Sequence, residues 1–204
     1  MSDEAVTVAV AHRLRCRACE PNTCPCGKAV DARGLHGLWC RRSGLAPASS
    51  SDERHRLEAI KQAQIPATKE PVSLIQQDGK RSDGTTLLPW ARGKPMAWDV
   101  TVPDTCAESH IDQTAREACS AANKAAANKI VKYGALSASH IFLPVAVETA
   151  GTWNQSAIEL IQEIGRRITA VTEDTRETVF LFQCLSIAFQ KGNAVAFLAT
   201  LDAV

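Results

Sequence analysis

Residues 81–102 read RSDGTTLLPWARGKPMAWDVTV, and their alternation of apolar and polar side chains predicts β-structure. Every second position of residues 96–102 is apolar: Met96, Trp98, Val100 and Val102. Asp99 and Thr101 occupy the opposite face of this predicted strand. A shorter apolar run precedes it at residues 86–88 and ends at Pro89, with Asp83 in the turn before it. The segment therefore predicts two neighbouring strands, with Asp83 just before the first and Asp99 inside the second.

Helical periodicity flanks this segment on both sides. Apolar residues recur at helical spacing over residues 112–133, 157–168 and 174–190, and a further strand is predicted over residues 141–147. Upstream, a short amphipathic helix is predicted to begin near Arg54 and to end before Pro66. Gly192 and Asn193 are predicted to end the last helix. This mixture of strands and helices predicts an α/β protein with a mixed sheet flanked by helices.

The composition of the chain is that of an ordinary globular protein. Of its 204 residues, 45% are hydrophobic and 22% are charged, a balance too apolar for a disordered protein. Lysine and arginine number 23 against 22 acidic residues, so the net charge of +1 gives no global electrostatic argument for nucleic acid. The chain shows neither the pattern of a signal peptide nor an apolar run of the roughly 20 residues that span a bilayer. These features predict an intracellular protein that does not contact a membrane.

Positive charge and cysteines are concentrated near the N-terminus. Residues 12–42 contain seven basic and two acidic residues, and they hold five of the eight cysteines. A serine-rich connector follows at residues 47–52. We therefore predict a boundary near residue 50, which separates a small basic Cys/His segment (1–50) from a main domain (51–204). Because an intracellular chain keeps its thiols reduced, the clustered cysteines indicate metal binding rather than disulfides.

Four residues of this segment have the spacing of a zinc site: Cys24, Cys26, His36 and Cys40. Thiolates and an imidazole suit zinc, and four protein ligands leave no open position, so the predicted zinc is structural. Cys16 and Cys19 form a Cys-x-x-Cys pair just upstream, and either could replace Cys24 or Cys26, with Cys19 as the reserve ligand. The alternative is that these cysteines are surface thiols that bind no metal.

Asp99 is an unusual residue for the interior of a strand, because aspartate is poor in β-structure. A carboxylate between Trp98 and Val100 needs a cation, hydrogen bonds or a metal to offset its burial. Together with Asp83 it could hold Mg²⁺, which prefers carboxylate oxygens and water. Mg²⁺ bound there would hold a phosphate so that an activated water molecule can attack it. The alternative is a structural ion pair of Asp99 with Arg81 or Lys129.

Helical periodicity predicts that Lys129 faces the sheet. At about 100° per residue, Lys129 falls on the same stripe as Ala126 and Tyr133, whereas Lys124 lies nearly opposite. A lysine on an inward apolar face must extend its ammonium to an acid or to solvent. We therefore expect Lys129 to reach Asp99.

The order of these motifs resembles that of a known nuclease family. In chain order the motifs are Cys24/Cys26/His36/Cys40, Arg54-His55, Arg81-Ser82-Asp83, Trp98-Asp99-Val100 and Lys129-x-x-Lys132-Tyr133. Over nearly the whole chain they resemble the zinc-knuckle and restriction-like PD-(D/E)XK endonuclease region of site-specific non-LTR retrotransposons. They also resemble the C-terminal region of reverse-transcriptase-like proteins of animals. Ser82 stands where the family motif has proline, and Thr101 stands where many members have lysine.

The resemblance implies a zinc knuckle, a restriction-endonuclease-like core over residues 51–204, and Mg²⁺-dependent cleavage of DNA. It makes Asp83 and Asp99 the Mg²⁺ ligands and Lys129 the cation that orients the water or the scissile phosphate. The residues that it implies for contact with nucleic acid are Arg41, Arg42, Arg54, His55, Arg81 and Lys132. It further implies a nuclear protein that binds DNA or RNA, with a reverse transcriptase encoded upstream. The alternatives are a catalytically inactive, zinc-dependent nucleic-acid-binding module and a non-functional relic of a mobile element.

Overall fold

Most strands of the described fold lie in the first half of the chain, and its two longest helices lie near the C-terminal end. They are seen in a computed structural model that describes residues 2–40, 59–60, 62–71, 74 and 81–201. The strands are β1 (Asn22–Thr23), β2 (Ala29–Val30), β3 (Ala67–Lys69), β4 (Gly84–Thr86), β5 (Met96–Thr101) and β6 (Ile141–Ala146). The helices are α1 (Asp3–Leu14), α2 (Ile111–Thr114), α3 (Ser120–Lys132), α4 (Gln155–Thr172) and α5 (Glu177–Leu198), and two 3₁₀ turns cover Leu35–Leu38 and Gly134–Ala138. Within these described ranges, no helix is long and apolar enough to cross a membrane.

The central sheet has the strand order β3-β4-β5-β6. The first three strands are antiparallel neighbours, whereas β6 lies parallel to β5, with Met96 paired to Ile141 and Thr101 paired to Ala146. Parallel pairing requires a long crossover connection, which α2 and α3 supply. The prediction of an α/β protein with a mixed sheet flanked by helices is therefore confirmed.

Strand β5 is buried on both faces, because helices cover both sides of the sheet. Its Met96, Trp98 and Val100 side chains join the main hydrophobic core, to which α4 contributes four leucine and isoleucine side chains. Asp99 lies on the other face, under α3, and is itself buried. The alternation in residues 96–102 thus separates an apolar face from a polar face that is also buried.

Two helices differ from their predicted bounds. The helix predicted over residues 112–133 is divided into α2 and α3, with Cys119 in the left-handed conformation (φ 69°) directly before α3. The predicted stop at Gly192 and Asn193 is wrong, because α5 continues to Leu198. Both residues are buried within the helix, and Asn193 Nδ2 donates a hydrogen bond to Thr149 O at 2.9 Å. Tertiary contacts at this end of α5 outweigh the low helix propensity of glycine and asparagine.

The N-terminal segment packs against the last helix of the chain. Helix α1, which the sequence patterns do not predict, places Ala5 and Val8 in a small core with Ala194 and Phe197 of α5. The 3₁₀ turn at Leu35–Leu38 packs against the same helix, since a Cβ on Gly37 would lie 2.6 Å from Phe197 Cα. The predicted boundary near residue 50 and the predicted helix start near Arg54 lie outside the described residues.

Candidate functional site

Four side chains near the N-terminus form a candidate metal centre. The ligand atoms of Cys24, Cys26, His36 and Cys40 all lie within 4.8 Å of one another. Cys24 Sγ is 3.6 Å from Cys40 Sγ, and Cys26 Sγ is 3.2 Å from His36 Nε2. A tetrahedral zinc ion with Zn–S bonds of about 2.3 Å spaces its sulfur ligands about 3.8 Å apart. The cluster could therefore hold a metal ion such as zinc, as the spacing of the four residues predicts.

The ligands are positioned by a tight hairpin and by the 3₁₀ turn that follows it. Cys24 and Cys26 lie in the turn between β1 and β2, which pair antiparallel. Gly27 adopts φ +85° in this turn, and its N–H donates a hydrogen bond to Cys24 O at 2.7 Å. Glycine is favoured there because a Cβ would be strained at this φ. His36 comes from the 3₁₀ turn, so two short elements meet at the cluster.

Burial and nearby hydrogen-bond donors change the acidity of these ligands. Burial raises the pKa of the Cys24 thiol to about 11. A hydrogen bond from the Lys28 backbone N–H lowers the pKa of Cys26. Burial, and secondly the Lys28 ammonium, lowers the pKa of His36, so its imidazole is neutral at pH 7 and in the form that binds metals. A metal ion would have to displace the proton of Cys24, because metal ligation requires the thiolate.

The other two cysteines of the segment lie outside the cluster. Cys19 Sγ is 3.5 Å from Asp31 O, and the exposed Cys16 has its Sγ 3.7 Å from Leu14 O. Cys19 packs against the cluster without joining the group of ligand atoms. The structure thus brings together the four residues of the first assignment and leaves Cys19 as their neighbour.

A second group of polar side chains surrounds Asp99, which is 4% exposed. Lys129 Nζ donates a hydrogen bond to Asp99 Oδ1, and Tyr133 Oη donates one to Asp99 Oδ2, both at 2.5 Å. This is the Lys129 contact expected from the helical periodicity. The Lys129 side chain is 25% exposed, so its ammonium connects the buried carboxylate to the surface.

Tyr133 is a hydrogen-bond donor of this group, a role that its position on the inward helical stripe does not by itself predict. Its side chain is buried, and its ring centroid lies 4.6 Å from that of Phe142. Its hydroxyl is also 3.0 Å from Arg81 O. A single hydroxyl proton cannot serve two acceptors, and the charged Asp99 is the stronger one. A tyrosine on an alanine-rich inward stripe is the sequence signal for a buried donor of this kind.

Asp83 directly precedes β4, the strand that pairs with the strand of Asp99. Gly84 pairs with Trp98 in the antiparallel register, which places Asp83 opposite Asp99. Asp83 Oδ2 accepts a hydrogen bond from the Val100 N–H at 2.6 Å. A Cβ at position 84 would lie 2.1 Å from the Trp98 ring, so the chain needs glycine there. The two aspartates that the sequence analysis selected therefore lie next to each other.

The other residues predicted to contact nucleic acid are only partly described. Arg81 is exposed, and its guanidinium lies 3.7 Å from Glu70. Lys132 Nζ lies 3.3 Å from Tyr133 Oη and 4.7 Å from the centroid of that ring. The Lys132 ammonium therefore borders the Asp99 group through Tyr133, whereas Arg81 contacts Tyr133 through its backbone carbonyl. The predicted contacts outside the described residues are Arg41, Arg42, Arg54 and His55.

Glu148 is a buried carboxylate to which the sequence analysis gave no role. It follows β6, is 2% exposed, and its Oε1 accepts hydrogen bonds from the N–H groups of Ala121 (3.0 Å) and Ala122 (3.3 Å). Its negative charge thus faces the positive end of α3. The sequence signal was an acid directly after an apolar strand. Glu148 fixes the start of the helix that carries Lys129.

The two groups differ in their capacity for metals. Among the described residues, the Cys/His cluster is the only set of three or more metal-ligating side chains in close contact. The pair of Asp83 and Asp99 offers two carboxylates, so Mg²⁺ there would complete its coordination with backbone carbonyls, water or phosphate oxygens.

Comparison with known proteins assigns the chain to no family, because no family model and no curated protein matches it.

Proposed function

We propose that the protein is the Mg²⁺-dependent DNA endonuclease region of a mobile element. The observation that carries this proposal is that Lys129 of α3 contacts Asp99 of β5, while the β4–β5 register places Asp83 opposite Asp99. Two carboxylates beside an ammonium are suited to holding a divalent cation and a phosphate together. The sheet supports the proposal as well, because three antiparallel strands, a crossover and a parallel fourth strand form the mixed sheet that the motif resemblance implies.

Each of the three side chains has a distinct role in this function. Asp83 and Asp99 would hold Mg²⁺, which would supply the positive charge that activates water and stabilises the phosphate during hydrolysis. Lys129 holds the attacking water or the scissile phosphate through its ammonium. Thr101, on the same face of β5 as Asp99, carries no charge, so the cation is supplied by α3. Tyr133 keeps one oxygen of Asp99 in place.

The Cys/His cluster and the basic residues serve DNA binding in this proposal. Four protein ligands would close the coordination of a zinc ion at Cys24, Cys26, His36 and Cys40, so that zinc would be structural. Residues 12–42 are basic, the Lys132 ammonium borders the Asp99 group, and the backbone of Arg81 contacts Tyr133. Such cations position a nucleic-acid backbone. A protein of this kind would act in the nucleus, beside a reverse transcriptase encoded upstream.

A second function is favoured by the hydrogen bonding of Asp99. Lys129 and Tyr133 satisfy both of its oxygens without a metal, which is how a structural ion pair behaves. In that case the protein is a zinc-dependent nucleic-acid-binding module without catalytic activity, or a folded relic of a mobile element.

Cleavage of supercoiled plasmid distinguishes these functions. The endonuclease should nick or linearise the plasmid with Mg²⁺ and not with EDTA, and Asp83→Asn should lose this activity while an amide oxygen still accepts from Val100. Asp112→Asn, at an exposed acid of α2, is the matched control and should cleave normally. Salt-dependent DNA binding without cleavage would establish the binding module, and the absence of both would indicate the relic.

A further inference from the structure

Trp39 is an exposed aromatic side chain next to the candidate metal centre. It is 51% exposed, although Leu38 before it and Cys40 after it are buried. Its ring contacts that of His36 edge to face, with 4.3 Å between the centroids, and its N–H donates a hydrogen bond to His36 O at 3.2 Å. The indole is therefore held in place by a residue of the cluster, and it faces solvent.

A cation accompanies this indole. Lys28 Nζ lies 4.8 Å from the centroid of the Trp39 ring. No acidic side chain in the described part of the chain forms an ion pair with Lys28, whereas Arg17 pairs with Glu20. In the sequence, two further cations, Arg41 and Arg42, follow directly after Cys40. In the described part of the chain, the surface at Trp39 thus combines one aromatic face with the Lys28 ammonium.

We propose that Trp39 and Lys28 form a binding site for an unpaired nucleobase. The base takes the place of the Lys28 ammonium above the indole and stacks on it, and the displaced ammonium contacts the adjoining phosphate. This inference rests on the proposed function only in taking nucleic acid as the ligand. Stacking on an aromatic side chain is tolerant of sequence, because every base has a π-face. Bases inside a duplex are already stacked on their neighbours, so this site should prefer single-stranded or frayed nucleic acid.

Charge favours a nucleic acid over a protein partner at this surface. An apolar docking surface needs a contiguous apolar patch, whereas Trp39 is a single large apolar side chain with an ammonium over its ring. A ligand that offers a flat aromatic group beside a negative charge satisfies both features. A nucleotide in a single strand has this composition.

Tryptophan fluorescence tests the stacking directly. The probe is a thymidine single strand of about 12 nucleotides, a length within the usual site sizes for single-strand binding. The strand should quench the emission of the parent protein, and Trp39→Phe should remove this quenching. Trp90→Phe is the matched control, because Trp90 also lies under a cation, Arg167, at 3.9 Å but away from the metal cluster. Quenching that persists in Trp39→Phe would overturn the proposal.

Affinity gives a second, independent measurement. Trp39→Ala should weaken binding of the single strand by about 5- to 150-fold, the usual loss for one stacked base, and leave binding of a blunt duplex nearly unchanged. A strand of the same length that lacks its bases should bind the parent and Trp39→Ala equally. Equal affinity of both proteins for the thymidine strand would contradict the proposal. Zinc content is measured on each variant. If Trp39→Ala loses zinc, the fluorescence of Trp39→Phe decides whether a base stacks on Trp39.

The outcome is separable from that of the proposed nuclease. Loss of single-strand binding in Trp39→Ala, with no plasmid cleavage by the parent, would support this site and reject the endonuclease. Plasmid cleavage by a parent protein that neither binds nor is quenched by the single strand would reject this site and leave the endonuclease standing.

Discussion

Lys129 is the residue whose substitution separates catalysis from structure. We expect Lys129→Ala to abolish Mg²⁺-dependent cleavage, because no other cationic side chain in the described part of the chain forms an ion pair with Asp99. Zinc content and DNA retention should remain close to those of the parent protein, since the Cys/His cluster lies elsewhere in the chain. The free energy of unfolding should fall by about 1–3 kcal/mol, because Asp99 stays buried with Tyr133 as a remaining donor. Plasmid cleavage and urea denaturation measure these effects.

The matched control for this prediction is Lys124→Ala. Lys124 is an exposed residue of the same helix, on the side away from the sheet, so its removal should leave the cleavage rate nearly unchanged. Equal cleavage by Lys129→Ala and the parent would remove Lys129 from the mechanism and favour a purely structural ion pair.

At the scale of single elements, Glu148 determines how α3 begins. Glu148→Ala would leave the N–H groups of Ala121 and Ala122 without their acceptor inside the protein. Since hydrogen bonds to a charged group contribute about 1.5–3 kcal/mol, we expect the free energy of unfolding to fall by roughly 2–4 kcal/mol. Glu148→Gln keeps an acceptor oxygen and should lose less. Urea denaturation checks the order of these variants, with the exposed Glu159→Gln as a control that should change stability by less than about 0.5 kcal/mol.

The contact between α4 and α5 depends on the absence of a side chain at Gly165. A Cβ there would lie 2.4 Å from Thr178 Oγ1 and 2.7 Å from Thr178 Cα, so the helices would have to move apart. Alanine improves helix propensity by about 1 kcal/mol, but overpacking against a backbone atom costs about 1–3 kcal/mol. We therefore expect Gly165→Ala to lower the melting temperature. Gly134→Ala, where a Cβ meets nothing within 4 Å, should not, and equal effects would contradict the packing argument.

At the scale of the whole molecule, the metal centre is coupled to the C-terminal helix. A Cβ on Gly37 would lie 2.6 Å from Phe197 Cα, and Phe197 shares a core with α1. We expect the purified protein to hold about one zinc ion, and chelation to increase hydrogen exchange in residues 22–40 and at the end of α5. Strands β5 and β6 should keep their protection. Cys24→Ser should reproduce the effect of chelation, whereas Cys16→Ser should not, because Cys16 lies outside the cluster.

Zinc uptake should also depend on pH. Burial holds the pKa of Cys24 at about 11 in the metal-free protein, so this thiol is protonated at pH 7. Binding of zinc must release that proton, and the apparent affinity should therefore rise between about pH 6 and about pH 8. Competition with a chromophoric chelator measures this dependence. An affinity that does not change with pH would show that Cys24 is not a ligand.

Local patterns in the sequence determined those features that depend on residues close together in the chain. The alternation of residues 96–102 predicted β5 and the polar face that carries Asp99. The helical period predicted over residues 112–133 placed Lys129 on the side of the sheet, where it meets Asp99. The spacing of Cys24, Cys26, His36 and Cys40 predicted their cluster, because the tight turns between them leave few other arrangements. These features follow from side-chain periodicity and turn chemistry, which act over a few residues.

Only the tertiary structure decided the strand register and the helix packing that join distant elements. One example is the β4–β5 register, which sets Asp83 opposite Asp99. Another is the pair of hydrogen bonds that Glu148 accepts at the start of α3, since no local sequence pattern specifies either contact. Helix α1 and the continuation of α5 past Gly192 were missed, because both owe their stability to burial against each other rather than to local propensity. Burial of an apolar side chain contributes about 1.5–3 kcal/mol, which exceeds the roughly 1 kcal/mol by which glycine disfavours a helix. Contacts made across the chain therefore outweighed the local signals at these positions.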